Sequence, residues 1–258
     1  MTQNMHLISN STSSQPTDIW LPSSNVIKPQ INNQIAGGYF QNFWDNTLEF
    51  SSEVYYKNMQ NVIDYENGTD ILLNEDIEDY MLEGKGRSYG LELYLKKTQG
   101  RFSGWISYTL SRTEHLFPEI QEGWYPAKQD KTHDVSLVGT WQINKRFTLS
   151  ATWVFATGNA VTLPSGQYSM GDQMIPYYTE RNGYRMPDYH RLDVGLTIKG
   201  KETKRFKSSW NISIYNAYNQ YNAYSISFEE SQNTPGTFDA VQLSLFGIVP
   251  SVSYNFNF

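Results

Sequence analysis

The residues of this chain that could do chemistry are four histidines, a run of carboxylates and a set of loop aromatics. Cysteine is absent, which excludes thiolate chemistry and a disulfide framework. His6, His115, His133 and His190 are the possible imidazole ligands for a metal ion. None of them stands at ligand spacing to another or beside a carboxylate cluster of a recognised type. We therefore predict no metal site and no cofactor, with the histidines in hydrogen bonds in loops and at strand ends.

The adjacent pair His133 and Asp134 is the one place where acid–base catalysis could begin, because an imidazole and a carboxylate can activate water. No second carboxylate pair stands in register with it. We therefore predict that the chain is not an enzyme and has no catalytic residues. The alternative, an outer-membrane hydrolase, predicts activity that is lost on His133→Ala.

The acidic run over residues 70–83 could attract cations. It lacks the glycine and the ligand spacing of a calcium loop. A solvated loop explains the run, and we predict no ion site there.

Aromatic side chains in the predicted loops are the best candidates for contact with a ligand, because their rings stack on sugars and flat chelates. These candidates are Trp124, Tyr125, Tyr168, Tyr177, Tyr178 and Tyr184. Packing of the loops on one another, together with a ring of aromatics at a membrane interface, explains the same residues equally well.

The overall composition excludes some partners and favours certain surroundings. Aromatic residues make up 15% of the 258 residues, against a hydrophobic fraction of 39%. Rings in this proportion are typical of membrane–water boundaries and sugar-binding surfaces. The net charge of −6 argues against nucleic acid, because phosphate binding requires a positive surface.

The elements that must position these residues are strands, since the dominant hydrophobic period after residue 30 is two. In the sixth segment Phe147, Leu149, Ala151, Trp153 and Phe155 alternate with small polar residues. Residues 1–29 are polar and are predicted to form a loop, and residues 30–258 a strand region. The predicted strands span residues 30–41, 48–57, 86–97, 102–113, 132–143, 147–155, 189–199, 210–214 and 251–258.

The connections between these strands alternate between short and long. Tight turns are predicted near residues 45, 99, 144 and 203, and long loops near residues 70, 120, 172 and 233. Outer-membrane barrels show this asymmetry, and their strands need about 9–11 residues to cross the bilayer. We predict an all-β antiparallel meander of about nine strands that forms part of a transmembrane β-barrel. The alternative is a soluble sugar-binding β-sandwich.

Nine strands do not close a single-chain barrel, because an open edge in lipid leaves backbone groups unpaired. The first residues also lack the basic and apolar regions of a signal peptide. We therefore expect the chain to be the carboxy-terminal part of a larger barrel.

Several runs resemble the barrel of Bacteroidetes TonB-dependent outer-membrane receptors, and most closely members that carry an amino-terminal carboxypeptidase-regulatory-like domain. The resemblance covers residues 30 to 258 and depends on the order and spacing of the runs together. These runs are residues 84–93, 104–112, 126–134, 189–193, 213–216 and 250–258.

The resemblance implies a barrel of about 22 strands that is filled by an amino-terminal plug. It implies uptake of a scarce nutrient across the Gram-negative outer membrane, with energy from the TonB complex acting through the plug. Outer-membrane lipid, the missing amino-terminal barrel and plug, and the barrel-assembly machinery are then the partners. Tyr254, Phe256 and Phe258 are the assembly signal that this machinery would bind. A passive porin-like barrel remains the alternative, because this chain has no plug and no TonB-contact segment.

Overall fold

The computed structural model describes residues 1–8, 18–66, 69, 76–171, 173–201, 206–231 and 237–258. Nine long strands form the wall of the molecule, each paired antiparallel with the next. They are β1 (Gln30–Phe43), β2 (Leu48–Tyr65), β3 (Met81–Lys97), β4 (Phe102–Leu116), β5 (His133–Gln142), β6 (Phe147–Ala156), β7 (Tyr189–Lys199), β8 (Lys207–Tyr215) and β9 (Val249–Asn257). The short strands Thr2–Gln3 and Tyr125–Pro126 join β1 and β4 to complete an 11-stranded sheet. The predicted antiparallel meander is confirmed.

The cross-strand register sorts the side chains of this sheet into two continuous faces. Ile106, Leu137, Trp153 and Leu192 are successive partners from β4 to β7 and define the apolar face. One residue along, the row Ser107, Ser136, Val154 and Arg191 defines the polar face. Directly opposed residues of an antiparallel pair lie on the same side of the sheet, so both faces run across the wall.

The apolar face is exposed rather than covered by a second sheet. Ile35 is 74% exposed and Val252 is 61% exposed at opposite ends of the wall. A β-sandwich would pack such rows against a facing sheet about 10 Å away. The structure therefore has the two-sided wall of a barrel and not the dry interior of a sandwich.

Strands β2, β3 and β4 extend beyond their predicted ends, which were residues 57, 86 and 113. A bulge between Gln60 and Val62 shifts the register of β2, and Asn61 there has a φ of 56°. The bulge resets the alternation, so the period of two is lost although the pairing continues. These extensions carry the loop-side features described below.

The long loops and residues 1–29 contain short hairpins that the sequence pattern did not predict. In the amino-terminal segment, Met5–Ile8 pairs with Ile19–Pro22, so the expectation of a loop without strands was wrong there. Ile8, Leu21, Ile27 and Ile77 form a small core beneath this hairpin. The other hairpins are Ala160–Val161 with Tyr184–Arg185, Gly166–Met170 with Gln173–Tyr177, and Ser225–Glu230 with Phe238–Leu243.

Short turns gather at one end of the wall and long loops at the other, which confirms the predicted asymmetry. We call these the turn end and the loop end. The turn at the end of β3 includes Gly100, whose φ of 94° favours glycine. Parts of the predicted acidic run and of two predicted connections, namely residues 70–75, 202–205 and 232–236, lie outside the described residues. The described part of the chain includes no helix long and apolar enough to cross a membrane.

Candidate functional site

The connection after β4 folds back over the polar face at the loop end. Met59, Gly86, His115 and Tyr125 are register partners across β2, β3, β4 and the strand Tyr125–Pro126. Met59 packs there with Val62, Phe117 and Tyr125 in a buried cluster. Phe117 is 0% exposed and Tyr125 is 1% exposed. The loop end therefore has a dry hydrophobic layer on the side of the sheet that is otherwise polar.

Arg181 fastens the long loop between β6 and β7 onto this layer. Its guanidinium lies 2.6 Å from Asp64 Oδ1 and 4.4 Å from the centre of the Tyr65 ring. Its backbone N–H donates to Gln121 Oε1 at 2.9 Å. The side chains of Arg181 and Asp64 are only 12% and 16% exposed, so this ion pair is largely removed from water. One arginine thus joins β2 and two loops.

A second ion pair, between Arg185 and the buried carboxylate of Asp130, ties the base of the same loop to β4. Asp130 accepts a hydrogen bond from the Thr113 backbone N–H at 2.5 Å. Arg185 Nη1 donates to the Asp130 carbonyl at 2.7 Å and to the Gly158 carbonyl at 3.3 Å. Asp130 lies in the run 126–134, so this run holds a loop junction together.

A network centred on Arg191 lies on the polar face and joins two other runs of the sequence. Its guanidinium donates to Asp193, and to the hydroxyls of Tyr189 and Tyr215 at 2.7 Å each. The Tyr215 ring centre lies 4.1 Å from the guanidinium carbon. Asp193 also accepts the Asn216 backbone N–H at 2.9 Å. The runs 189–193 and 213–216 are therefore one interlocked structure on β7 and β8.

Two of the six aromatic candidates for ligand contact take part in packing contacts, and their contact with a ligand stays a prediction. Tyr125 is part of the buried cluster, where its ring packs with Met59, Val62 and Phe117. Burial raises the pKa of Tyr125 above its ordinary value, and the nearby Asp64 carboxylate raises it further. Trp124 points the other way, with Arg87 4.3 Å above its ring. Arg87 is two residues from Tyr89 on β3, so its side chain lies on the same face as the apolar residues of that strand. Because Trp124 packs against Arg87, Trp124 also lies on the exterior.

The other four candidates are exposed in the loop between β6 and β7. Tyr168, Tyr177, Tyr178 and Tyr184 are 50%, 43%, 57% and 41% exposed. The rings of Tyr168 and Tyr177 face each other across a hairpin with centres 6.4 Å apart. This is a pair of accessible rings held at a fixed spacing, and ligand contact by these four residues stays a prediction.

Sequence reasoning missed a cluster of charges on the exterior above the apolar rows. Glu114 is buried between Arg87 Nη2 and Arg112 Nε, each 2.7 Å from it. All three residues occupy positions in phase with the apolar residues below them. The signal was available, because charged residues at 87, 112 and 114 interrupt an apolar phase. It indicates that β3 and β4 continue past the hydrocarbon into water.

The predicted strand-end and loop hydrogen bonds of three histidines are confirmed. His133 Nδ1 lies 2.9 Å from the Tyr108 hydroxyl and His190 Nδ1 lies 2.9 Å from the Tyr218 hydroxyl. His6 Nε2 lies 3.3 Å from Ser23 Oγ. Within the described residues, no group of three or more His, Asp or Glu side chains could hold a metal ion.

The residues of the predicted assembly signal form a ladder of rings on the apolar face of the last strand. Ring centres are 4.7 Å apart for Trp210 and Tyr254, 5.9 Å for Tyr254 and Phe256, and 5.6 Å for Phe256 and Phe258. Phe258 is 87% exposed. The ladder is accessible, and its part in assembly stays a prediction.

Comparison with known proteins gives one family and several similar structures. Residues 6–236 match the model described as TonB dependent receptor-like, beta-barrel. The ferric-catecholate import receptor Fiu from Escherichia coli K12, in a closed form, is 14% identical with a TM-score of 0.57, over 90% of this chain and 28% of that receptor. The outer-membrane ferripyoverdine receptor of Pseudomonas aeruginosa, bound to ferripyoverdine, is 11% identical with a TM-score of 0.59, over 90% of this chain and 27% of that receptor.

These likenesses concern the fold, and the chain spans little more than a quarter of the length of either receptor. No curated protein sequence matches the chain.

Proposed function

Because the chain belongs to the TonB-dependent receptor β-barrel family, we propose that it is the carboxy-terminal barrel portion of an outer-membrane receptor for energised uptake of a scarce nutrient. The family is one of receptors and transporters of the Gram-negative outer membrane rather than of enzymes. The sequence runs favour a receptor from a bacterium of the Bacteroidetes. They also favour a receptor that carries a carboxypeptidase-regulatory-like domain.

The observation that carries this proposal is the continuity of the two faces across nine strands. Apolar rows such as Ile106, Leu137 and Trp153 supply the surface that outer-membrane lipid requires. The opposite rows carry hydroxyl, amide and charged groups suited to a wet interior or to a plug. A porin wall has the same two faces, so dependence on TonB is what separates the two functions.

We propose that residues 30–258 form the wall and residues 1–29 an extracellular loop segment. Thr2–Gln3 pairs antiparallel with the loop end of β1, opposite Ile31 and Gln30. It runs towards the loop end, which is the direction of a strand paired antiparallel with β1. An amino-terminal barrel portion would continue this pairing along β1 and meet the free edge of β9.

The plug of the same receptor is the proposed partner of the polar face and the route to the TonB complex. The Arg191 network and the inward-folded loop after β4 are the parts of this face that a plug would meet. The barrel-assembly machinery is the proposed partner of the ladder formed by Tyr254, Phe256 and Phe258.

The direct test is uptake by cells that carry the receptor containing this chain. A panel of metal chelates, cobalamin, glycans and peptides would be supplied as scarce nutrients, with the receptor or TonB removed in turn. We expect one nutrient whose uptake is lost in both deletions. Uptake that needs the receptor but continues without TonB would establish the passive porin instead.

We expect Tyr168→Ala combined with Tyr177→Ala to weaken binding of that nutrient by about thirtyfold, because two rings that contribute about 1 kcal/mol each are lost together. Binding to whole cells measures the effect. The matched control is Trp124→Ala, which removes a ring on the exterior face and should leave affinity unchanged. A larger loss for Trp124→Ala than for the tyrosine pair would contradict the assignment of the binding loop.

A further inference from the structure

The turn end of the wall is positively charged although the whole chain has a net charge of −6. Two acidic residues, Asp45 and Glu49, stand there among the described residues. The basic residues described at this end are eight: Lys96, Lys97, Arg101, Lys145, Arg146, Lys199, Lys201 and Lys207. The charge is therefore separated along the barrel axis, with the excess of acid towards the loop end.

Four of these cations meet in two neighbouring turns. Lys145 and Arg146 lie between β5 and β6, and Lys199 and Lys201 lie at the end of β7. The Lys199 backbone N–H donates to the Arg146 carbonyl at 2.8 Å, which holds the turns together. With Gln142 and Gly200 they line a recess of about 540 Å³. We call this recess the cationic mouth.

Two residues that line the cationic mouth, Lys199 and Gln142, lie on the polar face of the wall. Lys199 opposes Ser209, one residue from the apolar pair Ile198 and Trp210. Gln142 opposes Thr148 in the same phase. Arg146 extends towards the other face, because its guanidinium carbon lies 5.5 Å from the centre of the Phe147 ring and Phe147 opposes Ile198 on the apolar face. An occupant that contacts Lys199 and Gln142 must enter the lumen from the turn end.

Of the eight basic residues at the turn end, one has an ion pair within the part of the chain that the structure describes. Lys96 lies on the polar face of β3 and is paired with Glu49 at 3.1 Å. Within the described residues, Lys145, Arg146, Lys199 and Lys201 have no ion pair. Cations in two turns joined by a backbone hydrogen bond repel each other, because salt screens charges fully only beyond about 8 Å at physiological ionic strength. An anionic occupant would remove that repulsion.

We propose that the cationic mouth receives a segment rich in Asp and Glu from the plug polypeptide that fills the lumen. This inference depends on the proposed function, since it names where the plug contacts the wall. Carboxylates suit the site because the flexible amines of Lys145, Lys199 and Lys201 can each donate to them. The contact orients the plug, with an acidic surface towards the turn end.

Carbodiimide coupling tests this proposal, because it joins a lysine amine to a carboxylate only when the two are in contact. The reaction is run on outer membranes that contain the whole receptor, followed by mass spectrometry of the coupled peptides. We expect Lys145, Lys199 or Lys201 to be joined to carboxylates of the plug polypeptide. The internal control is Lys96, which should be joined to Glu49. Lys145→Gln combined with Lys199→Gln and Lys201→Gln should abolish the plug products and leave the Lys96 product.

The proposal is overturned if the Lys96 product forms while the mouth lysines react with nothing or only within this chain, including Glu202. Coupling to a separate periplasmic protein would also overturn it. The coupled peptides found in the unmodified receptor decide the question even if the triple variant does not assemble. Uptake that still requires TonB while the mouth remains uncoupled would reject this contact and retain the proposed function.

Discussion

Leu137→Arg is expected to destabilise the assembled barrel by about 2–4 kcal/mol, the penalty for a cation facing lipid near the midplane. Leu137 lies in the middle of β5, between its partners Ile106 and Trp153 on the apolar face. The side chain has no route to water except along a lipid-facing wall. Urea unfolding of the receptor in lipid, followed by heat-modifiable gel mobility, measures the loss.

Ser136→Arg is the matched control, because Ser136 is adjacent but faces the other side, between Ser107 and Val154. An arginine there points into the interior and is expected to change the free energy of unfolding by less than about 1 kcal/mol. Equal penalties at the two positions would contradict the assignment of the faces. A larger penalty at Ser136 would reverse it.

Arg181→Met is expected to free the long loop between β6 and β7. The substitution leaves the Asp64 carboxylate, 16% exposed, without its partner, at a cost of about 3 kcal/mol. Local opening of the loop should then rise by roughly a hundredfold. Hydrogen exchange of residues 157–171 and 173–188 measures it. Adding Asp64→Asn should recover part of the loss, because the unpaired charge is removed.

The control for Arg181 is a surface ion pair between the amino-terminal segment and β3. Lys28 and Glu83 lie 3.1 Å apart with side chains 64% and 39% exposed. Lys28→Met is expected to change stability by no more than about 1 kcal/mol, because water screens the pair. If Arg181→Met had an equally small effect on exchange, the ion pair would not be what holds the loop.

The membrane-spanning part of the wall was predictable because it repeats one physical constraint at every second residue. β7 was predicted at the bounds observed, Tyr189–Lys199, where Leu192, Val194, Leu196 and Ile198 alternate with polar residues. The tight turns were predictable for a related reason, since they interrupt the alternation over a few polar residues. Both depend only on local sequence.

The loop end was not predictable, because distant contacts determine it. The bulge at Asn61 shifts the alternation of apolar and polar residues, so the last part of β2 does not continue the period of two that predicts a strand. Trp124 and Tyr125 looked equivalent as loop aromatics. The pairing of Tyr125 with His115 places the first ring outside and the second inside, and no local pattern records that pairing. The ion pair between Asp64 and Arg181 joins residues 117 positions apart, and no local sequence pattern predicts it either.

The central claim is that alternate residues of each wall strand meet lipid and the barrel interior, and β6 tests it most directly. The chain has no cysteine, so single cysteines introduced from 148 to 155 can carry spin labels one at a time. Oxygen partitions into the hydrocarbon and a nickel chelate into water. We predict high oxygen accessibility at Leu149, Ala151, Trp153 and Phe155, and low oxygen accessibility at the residues between them. Labels that show no alternation, or the opposite phase, would contradict the account.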